Sequence, residues 1–186
     1  MKKLIVVLIL FVSSLTTTKA DTVTLQVTGF NSATQGGFSV GPLSGSVNGT
    51  PITMVCDDFS HGVSDGQTWK ATVSLFSDLS NTRFSNLPNA ISKYQQAAWL
   101  FDQFAISPNS TGDIQFAIWG LMTPSTPMTG GALSWLDMAR SQNLSNYDFS
   151  GFRIYTPLDP RPSSPQEFIA KLPGAQVPEP ATLARL

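Results

Sequence analysis

The chain has 186 residues, of which 11 are basic and 12 acidic, so it carries almost no net charge and no basic cluster. That excludes a binding surface for nucleic acid or for an anionic membrane. One cysteine and one histidine exclude zinc sites of the usual multi-ligand kind, and one cysteine excludes an intramolecular disulfide.

Lys2 and Lys3 precede an apolar run from Leu4 to Val12, and Thr18-Lys19-Ala20 supplies small residues before Asp21. This reads as a signal peptide spanning residues 1–20. An uncleaved anchor is the alternative, disfavoured because the run falls well short of the ~20 residues of a spanning helix. The expected mature chain keeps 8 basic and 12 acidic residues, a net charge of −4. Its length suits one domain, placed at residues 21–156.

Thr22 to Thr28 alternates Val23, Leu25 and Val27, the period of a half-buried strand. Gly29 to Gly37 reads as a polar turn region. Phe38 to Val47 and Pro51 to Cys56 read as two strands joined at Asn48-Gly49, a dipeptide suited to the positive φ of a tight hairpin turn. Asp57-Asp58 and His61-Gly62 mark a loop, and Thr68 to Leu75 alternates again. The period then changes. Asn89 to Phe104 sets Ile91, Tyr94, Ala97, Ala98, Phe101 and Phe104 on one helical stripe. Asp113 to Met122 forms a second helix, and Thr129 is placed to cap a third running to about Leu144. Phe149 to Tyr155 is the expected final strand, and residues 157–176, rich in proline, read as an extended linker. The predicted class is α+β, mostly antiparallel sheet with two or three short helices in the second half.

Residues 177–186 contain Val177-Pro178-Glu179-Pro180-Ala181-Thr182-Leu183. This resembles the PEP-CTERM sorting signal of Gram-negative bacteria, in which such a motif precedes a transmembrane helix and a basic cluster. The resemblance implies export, with the sorting machinery as a partner. Ala181 to Leu186 is too short to insert in a bilayer, so no stable membrane anchor is expected from this segment. The expected location is periplasm, cell surface or medium.

Candidate chemistry centres on Cys56. Asp57, Asp58 and Asp65 read as solvated loop carboxylates; a calcium loop of the EF-hand type would need a closing glutamate that is missing. No metal or cofactor signature is present. Cys56 and His61, five positions apart, fit a thiol with an imidazole base, the arrangement of a cysteine hydrolase. A buried, inert cysteine is equally compatible with the pattern.

Val55-Cys56-Asp57-Asp58-Phe59, then Tyr94-Gln95-Gln96-Ala97-Ala98-Trp99-Leu100, then Gln115-Phe116-Ala117-Ile118-Trp119 follow the order found in bacterial surface thioester domains, which this body resembles. In that family a cysteine and the glutamine of a Q-x-A-I-W motif condense, with loss of ammonia, into an internal thioester. The resemblance assigns these roles to Cys56 and Gln115, 59 positions apart; Gln95, Gln96 and Gln103 compete for the second. Phe59, Trp99, Phe116 and Trp119 are the candidate walls that would keep water from the bond. The implied role is covalent attachment to an amine or hydroxyl group on a partner, without turnover. A non-covalent, exopolysaccharide-associated matrix protein with an idle cysteine, and the Cys56/His61 hydrolase, are the other readings.

Overall fold

The computed structural model describes residues 21–159, 161 and 163–172. The leader and the sorting motif, read at residues 1–20 and 177–186, lie outside these residues. Among the described residues there are eight strands and three α-helices: β1 (Thr22–Gly29), β2 (Thr34–Gln35), β3 (Phe38–Ser39), β4 (Leu43–Val47), β5 (Thr50–Cys56), β6 (Thr68–Ser74), α1 (Ala90–Ile106), α2 (Thr111–Met122), α3 (Ala132–Ser141), β7 (Phe152–Pro157) and β8 (Phe168–Lys171). Six strands close into an antiparallel barrel in the order β1-β4-β5-β8-β7-β6, with β6 returning to β1. β2 and β3 form a separate two-stranded hairpin. The expected α+β class with mostly antiparallel pairing is what the chain adopts.

Strand alternation sorts the side chains into two cores. Leu25, Val27, Leu43, Met54, Cys56, Ala71, Tyr155, Phe168 and Ala170, drawn from all six barrel strands, form one cluster inside the barrel. Their neighbours Val55, Ile154 and Ile169 point the other way, where α1, α2 and α3 cover the β5-β8-β7 side. A one-residue slip of β5 would exchange Val55 and Cys56 between these cores. The Asn48-Gly49 turn is as expected: both residues have positive φ (49° and 84°), and Val47 pairs with Thr50 across it.

α2 is buried from Ile114 to Met122. Ile114, Ala117, Ile118 and Leu121 meet the helical core, whereas Phe116 and Trp119 join the barrel cluster. The helix therefore lies between the barrel and the other helices, and no solvent-facing stripe is available to give it amphipathic periodicity.

Several expectations are corrected. The run read as one strand from Phe38 to Val47 is broken at Val40-Gly41-Pro42, because Gly41 sits at φ +88° and proline follows it. The polar turn region before it contains β2. Ile91, placed on the buried stripe, is exposed at the start of α1. Thr129 does not cap α3, whose preceding residue Gly131 makes no side-chain cap; the Thr129 hydroxyl instead accepts from Gln35. The region read as a linker over 157–176 includes β8, which pairs with both β5 and β7, so β7 is not the last strand and the folded domain runs past residue 156. A four-residue strand behind a proline-rich stretch is too short for its period to register.

β8 closes the barrel, so a chain ending at Leu158 leaves β5 and β7 with open edges. The expected result is loss of the cooperative thermal transition and of the near-UV circular dichroism, whereas a chain ending at Leu172 keeps both.

Candidate functional site

Cys56 is the last residue of β5, and its side chain points into the barrel cluster near Phe116 and Trp119. Gln115, in the first half of α2, is buried beside it. The Gln115 amide nitrogen donates to the Cys56 backbone carbonyl at 2.7 Å, and its carbonyl oxygen accepts from the Gly41 backbone N–H at 3.3 Å. Both side chains line one cavity of about 40 Å³, with Trp119, Gly41, Asn31 and Gln166 among the other walls. Such a space holds a few water-sized groups and no larger ligand.

Gly41 is shaped for this contact. A Cβ there would lie 2.4 Å from the Thr111 methyl and 2.7 Å from the Asn31 amide nitrogen, on a backbone at φ +88°. Glycine alone brings the chain close enough to aim its N–H at Gln115.

The thiol donates to the Asp58 carbonyl at 3.1 Å, and the sulfur accepts from the Asp58 N–H at 3.3 Å and from the Trp119 indole N–H at 3.4 Å. Burial pushes the thiol well above its ordinary pKa, any negative charge on Asp57 or Asp58 adds to the rise, and the Trp119 hydrogen bond opposes it. Cys56 therefore rests as a protonated thiol. His61 does not pair with it: Nδ1 of His61 lies 2.7 Å from Oδ2 of Asp58. A preformed thiolate–imidazole pair, the requirement for the hydrolase reading, is not what these residues make.

Asp57 and Asp58 are buried, against the expectation of solvated loop carboxylates, whereas Asp65 is exposed and accepts from Gly66 N–H. Asp58 is paired with Arg83, whose guanidinium also donates to Ser164 Oγ and Pro165 O. Glu167, wholly buried, accepts from Tyr94 at 2.5 Å, from the Arg83 N–H at 2.7 Å and from the Thr156 hydroxyl. Neither carboxyl oxygen of Asp57 meets a donor. Burial, then the neighbouring charges of Glu167 and Asp58, raise its pKa well above the carboxylate range, and Glu167 is raised too, chiefly by burial. Asp57 thus keeps its proton, which gives a hydrogen bond to Glu167 and relieves its unmatched oxygens. Among the described residues no group of three or more His, Cys, Asp and Glu side chains is arranged to hold a metal ion.

Of the four expected walls, Phe59, Phe116 and Trp119 gather into one cluster, with centroids 5.0–6.4 Å apart, and of these Trp119 lines the cavity. Trp99 does not join them; it packs against the helical core. Its place is taken by Phe38 of β3, 5.2 Å from Phe59, 6.1 Å from Phe116 and 6.0 Å from Trp119. Phe38, Gly41, Arg83 and Glu167 escaped the sequence reading. The one available signal was Glu167, a lone glutamate ahead of Phe168-Ile169-Ala170 in a chain with only one other glutamate. No family model matches the chain, and no curated protein or solved structure does either.

The retained proton on Asp57 sets a pH dependence. The unfolded chain releases that proton as pH rises through about 4 while the fold holds it. The fold then binds more protons, so its stability declines with rising pH until Asp57 ionises in place. Asp57→Asn supplies donors without a charge. It is expected to raise stability at neutral pH by about 1–3 kcal/mol and to flatten the decline, as read from urea midpoints across pH.

Proposed function

We propose that this is an exported surface or extracellular-matrix protein of a Gram-negative bacterium that attaches covalently to a partner through an internal thioester between Cys56 and Gln115. The observation that carries the reading is the clamp on the Gln115 amide: its nitrogen at the Cys56 carbonyl, its oxygen at the Gly41 N–H, and both side chains on one small cavity. Holding a carboxamide beside a thiol in fixed orientation is the main cost of such a condensation, and a buried helix meets it better than a loop.

In the proposed step Sγ of Cys56 bonds to Cδ of Gln115, the Cδ–Nε2 bond breaks, and the thiol proton leaves with the nitrogen as ammonia. Negative charge developing on Oε1 faces the Gly41 N–H. An amine on the partner later attacks Cδ, forming an amide and returning the Cys56 thiol; a hydroxyl gives an ester. Phe38, Phe59, Phe116 and Trp119 keep water from the bond in the meantime.

A second reading has its own support. The Gln115 amide satisfies two backbone groups, which is sufficient reason for a buried glutamine in a non-covalent matrix protein with an idle cysteine. Intact mass decides between them. The purified protein is expected to be lighter by one ammonia, with the deficit abolished in Cys56→Ala and in Gln115→Ala; a full mass with a thiol alkylated once unfolded favours the idle cysteine.

Gly41→Ala is expected to keep the barrel but lower stability by about 1–3 kcal/mol through backbone strain. It is also expected to reduce the fraction of molecules carrying the mass deficit, measured on the same purified sample.

A further inference from the structure

The hairpin that carries Phe38 is built differently from the rest of the sheet. β2 and β3 pair only with each other, Thr34 with Ser39 and Gln35 with Phe38, and with no barrel strand. At its base, Asn31 accepts from the Ala33 N–H at 2.7 Å and donates to the Pro42 carbonyl at 3.1 Å, while Val40 N–H donates to Ala33 O at 3.1 Å. At its tip one side chain reaches the helices. The Gln35 amide nitrogen lies 2.9 Å from Asp113 Oδ1, 3.0 Å from Thr129 Oγ1 and 3.4 Å from the Thr129 carbonyl. Gln35 packs against Gly112 so closely that a Cβ there would lie 2.0 Å from its amide oxygen.

Phe38 is 43% exposed, yet its ring touches Phe59, Phe116 and Trp119. Two residues further on, Val40 and Gly41 line the Cys56–Gln115 cavity. A half-exposed ring on a segment outside the barrel ladder can leave without breaking a core strand.

The geometry points to a latched lid: the β2–β3 hairpin closes the cavity through Ser39 and the Val40-Gly41 segment that follows it, Phe38 seats it on Trp119, the Gln35–Asp113–Thr129 contacts hold it shut, and entry is limited to a slender primary nucleophile. The lid itself depends only on the hairpin. Its selectivity for nucleophiles rests on the thioester reading. With about 40 Å³ behind Ser39, Val40 and Gly41, a small primary amine fits, whereas a branched amine or a secondary ring hydroxyl must first displace the hairpin.

The lid is tested apart from the thioester. In Gln115→Ala no thioester can form, so native-state alkylation of Cys56 by iodoacetamide reads access alone. Adding Gln35→Ala, Asp113→Ala or Phe38→Ala is expected to speed alkylation by on the order of tenfold or more. Asp113→Asn, which keeps an acceptor oxygen, is expected to leave the rate near its parent's. Amide exchange in the otherwise unaltered chain guards against general destabilisation: Gln35→Ala should speed exchange at Val40 but not at Met54 in the barrel. Equal alkylation rates in all variants, or a rise at Met54 matching that at Val40, overturn the lid. Selectivity is then read from the chain with its own Gln115. Methylamine is expected to add at Gln115 and tert-butylamine not to, with Phe38→Ala narrowing the gap. Equal addition of both amines overturns the selectivity, and a full intact mass overturns the covalent reading beneath it while alkylation still judges the lid.

Discussion

One buried carboxamide ties the two halves of this molecule together. Gln115 gives its N–H to the last carbonyl of β5 and takes the N–H of Gly41 from the segment leading into β4, so the helix and the barrel meet at fixed distances. Both backbone groups belong to buried residues, where an unmet partner would cost the desolvation of a peptide group. The same constraint brings a thiol and an amide into one cavity. Structure and candidate chemistry therefore share one interaction.

Around that clamp the protein keeps an unusual store of buried acid. Asp57, Asp58 and Glu167 lie within a chain where charge is otherwise sparse. Arg83 and His61 attend Asp58, and hydroxyl and backbone donors attend Glu167. Asp57 is left to hold its own proton. A third full negative charge would face Cys56 with no matching cation, so the proton is what lets the cluster stay dry. The consequence for the thiol is a resting protonated state, opposite to the activation a hydrolase would need.

Much of the barrel was legible in the sequence because half-buried strands write their period plainly. Val23, Leu25 and Val27 alternate as β1 does, and Asn48-Gly49 marks a turn that only positive φ permits. β8 was not legible, since Phe168, Ile169 and Ala170 are all buried and alternate between two cores, which leaves no polar phase to read. The site divides the same way. Cys56, Gln115, Phe59, Phe116 and Trp119 were found from local order and residue type. Phe38 replaced Trp99 because the hairpin folds back over α2, a long-range placement with no local signature.

The amino-acid sequence by itself determined the alternating strands, the helical second half, the hairpin at Asn48-Gly49 and the residue types able to form a thioester. Those follow from local periodicity, turn stereochemistry and side-chain chemistry, each confined to a few neighbouring positions. Only the tertiary structure decided that the strands close into a barrel through β8 and that His61 turns to Asp58 instead of Cys56. It alone decided as well that Gln115 is the glutamine at the cysteine and that Phe38 packs on Trp119 beside them. These outcomes turn on which buried polar groups must find partners across 59 or more positions of chain, a requirement imposed by exclusion of water from the assembled core.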